Sequence, residues 1–202
     1  MSTLPILLEG AGLRVLVVGG GNVATRKAKQ FAQAGAIVRI VSPALEPALE
    51  QLALEFAIVV ERRPYETGDI ADAQLIISAT SDRAANALVA RDADAEHRLL
   101  NAADHSDEGN FAMMATHHRG PLTIGVSAGG VPAAALRIRD AIAERFDARY
   151  ADALSDLGAL RRRTIAAGDS DVWRARSPAL IGEDFCEAVE SGELPHRIAE
   201  WP

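Results

Sequence analysis

What the chain lacks narrows its class before any motif is read. A single cysteine, Cys186, stands among 202 residues, so no disulfide can close within the chain and the disulfide-stapled secreted scaffolds are excluded. Cytoplasm is then the default location. Aromatic residues reach only 4%, yet hydrophobic residues as a whole make up 49% against 24% charged, the balance of a soluble globular protein rather than of a disordered or membrane chain. No long apolar run is present. The early patch LPILL has no basic residue ahead of it and is interrupted by Glu9, so it is read as neither a signal segment nor a span, and no membrane partner is expected. Cations are the minority charge. A net charge of −7 and a pI near 5.2 argue against nucleic acid, whose phosphates need clustered cations. No internal repeat or low-complexity run interrupts the chain.

What is there begins with alternation. Short β-rich apolar runs at 14–18 (RVLVV), 37–41 (IVRIV), 57–61 (AIVVE), 75–78 (LIIS) and 99–103 (LLNAA) are separated by helical patterns at 22–34, 46–55 and 83–95. Such β-α-β repetition predicts a largely parallel sheet with helices on both faces. After Asp104 the alternation fails. FAMMATHH (111–118) and LTIGVS (122–127) read as strands, a helix is expected from Pro132, another over 148–165, and short helices in the tail around 180–190. The expected fold class is therefore α/β: a Rossmann-like doubly wound parallel sheet, then a small α+β segment and a helical C-terminal region. The domain bounds are placed at 1–112, 113–148 and 149–202.

The pattern G-x-G-x-x-A formed by Gly19, Gly21 and Ala24 directly follows a strand and opens a helix. That is the context the dinucleotide fingerprint requires: one glycine turns, one admits a pyrophosphate, and a small residue lets helix pack on strand. A ligand-free glycine turn is the alternative. Ser42 and Pro43 stand where an acidic residue would grip ribose, and no adjacent arginine recommends a ribose phosphate, so NAD is the expected cofactor. Thr80 and Ser81 of SATSD are cofactor contacts or, alternatively, part of a helix cap made by Ser81 or Asp82. Asp104 ends the last strand at the sheet's carboxyl edge, where it could serve as a proton acceptor or simply begin a turn.

The set LPILLEG, VVGGGNVATRKAKQFAQAGA, IVSP, SATSD, NAAD and PLTIGVSAGG resembles the precorrin-2 dehydrogenase family, the dehydrogenase and ferrochelatase module of siroheme synthases, over roughly residues 1–150. The resemblance implies NAD-dependent oxidation of precorrin-2 to sirohydrochlorin, with iron insertion by the same site in some members. It implies that Asp104, the last residue of N-x-x-D, is catalytic. It carries cofactor contacts onto Gly21, Asn22, Val23, Ser42, Pro43 and Ala44, and a homodimer onto the middle segment. One departure is Ala128, where some bifunctional members have a second serine in S-x-G-G; another is Pro132, one residue early for the helix entry. A protein that binds nucleotide and tetrapyrrole without turnover is the alternative from another class.

Charge is uneven along the chain: −5 over residues 1–116, +3 over 117–163 and −5 over 164–202. The substrate implied by the resemblance is a polycarboxylate, and the basic middle block fits it. Ser127, Gly129, Arg119, Arg137 and Arg139 are the substrate-binding candidates, against a solvated helix face. No metal site is expected. His105, His117 and His118 are read as surface residues, Met113 and Met114 as core filling, Cys186 as a small buried hydrophobe, and Arg161 to Arg163 as a solvated helix end.

Overall fold

The structure, a computed structural model, describes residues 3–103 and 106–201. The chain divides into two compact units, residues 1–113 and 114–202.

In the first unit, β1 (Arg14–Val18), β2 (Ile37–Val41), β3 (Val59–Glu61), β4 (Leu75–Ser78) and β5 (Leu99–Ala102) form one parallel sheet in the order β3-β2-β1-β4-β5. Three helices connect them: α1 (Asn22–Gln33), α2 (Pro47–Glu55) and α3 (Arg83–Ala95). Period-2 alternation distributes each strand between two cores. Val15 and Val17 join Leu75, Ile77, Val38 and Ile40 under α1 and α2, whereas Leu16 and Val18 join Ile76, Leu100, Val89 and Ala93 under α3. Burial on both faces explains why these strands read as continuous apolar runs.

The connection from β3 to β4 is irregular over 62–74. It closes the second face with Tyr65, Ile70 and Ala73, and it carries the chain back past β2 and β1. The strand order therefore reverses between β1 and β4. The crevice beyond the carboxyl ends of these two strands is the place where an open α/β sheet takes its ligand.

The second unit opens with an antiparallel hairpin, β6 (Ala115–Arg119) and β7 (Leu122–Val126), followed by α4 (Pro132–Arg145), α5 (Ala148–Ala166), α6 (Ser170–Arg176), α7 (Phe185–Ser191) and α8 (Leu194–Ala199). Only the later half of FAMMATHH is strand. Tyr150, Ala153, Leu157 and Leu160 of α5 make one apolar stripe with Leu180, Ala188, Val189 and Leu194, and Leu122 and Phe146 pack on the same core. Pro132 is the first residue of α4, a position where its missing N–H is no loss.

Candidate functional site

Each of the three glycines after β1 has a distinct physical reason. Gly19 has φ +125°, and a Cβ there would lie 2.2 Å from the Ala79 carbonyl oxygen, so the turn after β1 is pressed against the turn after β4. Gly20 approaches the β2–α2 turn instead: a Cβ would lie 1.9 Å from the Ala44 carbonyl oxygen. Glu46 N–H also donates to the Gly20 carbonyl at 2.8 Å. Gly21 is different. It is the residue before α1, at φ −88°, and a Cβ there meets nothing within 4 Å. No side chain among the described residues caps α1, so the amides of its first turn open onto free space, as phosphate binding needs. Asn22 and Val23 are exposed in that turn, and Ala24 is fully buried against the sheet. The residues present therefore fit a dinucleotide pyrophosphate.

The flanking turns are shaped by buried polar groups. Ser42 is buried, and its hydroxyl donates to the Ala44 carbonyl at 2.7 Å, which folds the β2–α2 turn against Gly20; Pro43 and Ala44 are exposed. After β4, Ser78 and Asn86 hydrogen-bond at 2.6 Å, and the Asn86 amide donates to the Thr80 carbonyl at 2.8 Å. Asn86 is a residue that sequence reading missed: an asparagine inside a helical pattern carries no local signal, and only its burial against the turn reveals the role. Thr80 accepts a hydrogen bond from Asp82 N–H at 3.1 Å. Asp82, rather than Ser81, caps α3 through Ala84 and Ala85, and Ser81 is exposed.

Asp104 lies outside the described residues, but its flanks are fastened. Ala103 N–H donates to the Ser78 carbonyl at 2.9 Å. Past the turn 106–108, Arg83 forks onto Glu108, and a Cβ at Gly109 would lie 2.8 Å from the Leu100 carbonyl oxygen. The Asn110 side chain accepts from Leu100 N–H and donates to the Arg98 carbonyl, both at 2.8 Å, sealing the open edge of β5. Asn101, the first residue of N-x-x-D, is buried; its Oδ1 accepts from Lys27 Nζ at 2.5 Å and its Nδ2 donates to the Phe111 carbonyl at 3.0 Å. Burial, reinforced by neighbouring Arg26, pushes the Lys27 ammonium below the usual lysine value. Lys27 too was missed, because within RKAK it reads as one more solvated cation.

Arg39 in β2 and Arg62 and Arg63 directly after β3 are each engaged in an ion pair. Arg39 pairs with Glu61 at 2.7 Å, Arg62 with Glu50 at 2.8 Å, and Arg63 with Asp69 at 2.6 Å and also with Glu61. Hydrogen bonds from Arg39 and then Arg63 hold the Glu61 carboxyl below the usual carboxylate range; Asp69 is held low chiefly by Arg63.

In the second unit, Ser127, Gly129 and Gly130 form an exposed turn leading to α4, with φ +55° and +85° at the two glycines and open space around both. Arg119 and Arg137 are exposed, and Arg139 pairs with Asp140 at 2.6 Å. Arg145 and Arg149 turn instead to Glu190 and Asp147. The reading of His117 as a surface residue is corrected. It is 7% exposed, and its Nε2 lies 2.7 Å from the Phe146 carbonyl, which requires that nitrogen to carry a proton; strand alternation sends His118 to the exposed side.

Residues 6–115 match a family model described as "Putative NAD(P)-binding". Siroheme synthases of Pseudomonas putida and Azotobacter vinelandii are 35% and 38% identical to 98% of this chain. The chain spans 41% of the length of each. Among solved structures, one titled "SirC, precorrin-2 dehydrogenase" superposes with a TM-score of 0.75 at 26% identity, covering 98% of this chain and all of that one.

Proposed function

The chain belongs to the NAD(P)-binding family of the siroheme synthase N-terminal module, and from that premise we propose that it oxidises precorrin-2 to sirohydrochlorin with NAD⁺. The observation that carries the reading is the crevice at the β1–β4 reversal. There the uncapped first turn of α1 opens beside the turn that ends β4, one strand away from the N-x-x-D sequence closing β5. Backbone amides at Gly21, Asn22 and Val23 hold the pyrophosphate, and the turns at Ser42–Ala44 and Thr80–Ser81 flank it.

Bound NAD⁺ supplies the hydride acceptor. The protein's own part is to hold the macrocycle and to manage the proton: Asp104 takes the proton that leaves the substrate as its carbon is oxidised, then returns it to solvent. NAD is favoured over NADP because Arg39, Arg62 and Arg63 are each bonded to carboxylates, so a 2′-phosphate would have to displace an ion pair. Arg119 and Arg137, with the Ser127–Gly130 turn, meet substrate carboxylates. Arg139 contributes by exchanging Asp140 for a substrate group. Residues 113–148 form the contact between two copies in a homodimer, and residues 149–202 form the helical part. No helix among the described residues is long and apolar enough to cross a membrane; the working location is the cytoplasm.

Purified protein given precorrin-2 and NAD⁺ forms NADH and sirohydrochlorin in equal amounts on this reading. Asp104→Ala lowers kcat by about 10²- to 10⁴-fold, the range for a positioned base, while NAD⁺ affinity holds. A wild-type chain that binds both ligands and transfers no electrons would reject the enzyme reading in favour of a binding protein.

A further inference from the structure

Across the sheet, Val17 of β1, Ile77 of β4 and Asn101 of β5 stand in register on the face covered by α1. The row is apolar until it ends in a buried amide, and that amide meets a buried ammonium. Lys27 lies on the inner stripe of α1 with Ala24, Ala28 and Ala32 and is 9% exposed. Its Nζ reaches Asn101 Oδ1 at 2.5 Å and the Met113 sulfur at 3.8 Å. Neither polar group is something the fold requires. Two aliphatic side chains of similar volume would fill the same space without desolvating a charge, and such replacements are commonly neutral or stabilising.

The pair does have a geometric effect. The cation fixes which way the Asn101 amide faces, so its Nδ2 must point at the Phe111 carbonyl, 3.0 Å away. Asn101, within β5, and Phe111 lie on either side of Asp104 along the chain. The other end of the connection is α1, whose first turn begins at Asn22, five residues before Lys27 and about 7.5 Å along the axis at a rise of ~1.5 Å per residue.

We propose that Lys27 is a positioning residue: through Asn101 and the Phe111 carbonyl it ties the helix that receives the dinucleotide phosphates to the chain on either side of Asp104. The assignment of a role in turnover rests on the reading of Asp104 given above; the tie itself does not. Lys27 touches neither substrate nor cofactor. Its effect is on where the base sits when the cofactor is bound.

The test uses the full chain with Lys27→Met, Lys27→Arg, Asn101→Leu, the double variant Lys27→Met/Asn101→Leu, and Lys29→Met as the exposed neighbour on the same helix. Lys27→Met is expected to lower kcat about 10- to 100-fold, the cost of an ångström-scale misplacement, with the KM for precorrin-2 and the NAD⁺ affinity within threefold of wild type. Lys27→Arg restores most of kcat because it keeps the cation, and the double variant is no slower than the worse single variant, since the two residues act as one unit. A kcat for Lys27→Met within twofold of Lys29→Met overturns the proposal. So does a loss of NAD⁺ affinity in step with kcat, which would make Lys27 a cofactor contact, and so does additivity in the double variant. Amide exchange separates this proposal from the reading beneath it. Lys27→Met must accelerate exchange over residues 99–111 but not over 37–61 even if the wild-type chain proves catalytically silent; unchanged exchange over 99–111 sinks the tie in either case, and also covers the variants if turnover is lost through instability.

Discussion

At the residue scale, the glycine turn separates packing from binding. Gly19 and Gly21 are interchangeable in a sequence pattern but not in space: one presses on Ala79, the other borders open solvent. Gly19→Ala should therefore destabilise the protein by about 2 kcal/mol or more, since it adds overpacking to a disfavoured φ, and urea denaturation would measure it. Gly21→Ala should leave the urea midpoint almost unmoved and yet weaken NAD⁺ binding by about tenfold, roughly 1.4 kcal/mol, as read by calorimetric titration. Equal effects of the two substitutions on stability would mean that the space before α1 is not reserved for a ligand.

At the scale of elements, the carboxyl edge of the sheet is held in shape by side chains rather than by additional strand or helix. Asp82 accepts from the first amides of α3, so Asp82→Ala should cost about 1 kcal/mol, seen as a lower denaturant midpoint at unchanged slope. The Arg39–Glu61–Arg63–Asp69 network joins β2, β3 and the irregular connection to β4. Glu61 and Asp69 are held below their ordinary values. A depressed folded-state pKa stabilises the protein above the unfolded value, near ~4 for carboxylates, and that contribution disappears as pH falls through the folded values. Arg63→Met should thus make stability less dependent on pH below about 4, with most of its loss already present at neutral pH. Urea midpoints across that range would show whether the two curves converge in acid.

For the whole molecule, α4 buries only Ala135 of its 14 residues, while Leu136 and Ile138 are 45% and 47% exposed. If residues 113–148 form the contact between two copies, Leu136→Glu together with Ile138→Glu should yield a monomer by light scattering. That variant should retain NAD⁺ binding, because the crevice lies within the first unit, and should lose turnover. A dimer that persists with full activity would place the contact elsewhere.

Much of this was legible along the chain because it is written in local periodicity. Strands β1, β2 and β4 and helix α3 follow from apolar runs and alternation within single segments, and the glycine turn follows from its place between strand and helix. Other features depend on residues that meet only in space. That β4 lies beside β1, so that Gly19 is pressed on Ala79, results from an irregular stretch at 62–74 with no periodic signal. His117 became a buried residue because the corner between α4 and α5 closes over it. Lys27 and Asn101 are 74 positions apart, and neither sequence neighbourhood marks them as partners. Local pattern determined the elements and the dinucleotide turn; the order of strands and the polar tie beneath the crevice were decided by tertiary packing, because burial and long-range hydrogen bonds exist only once distant segments are brought together.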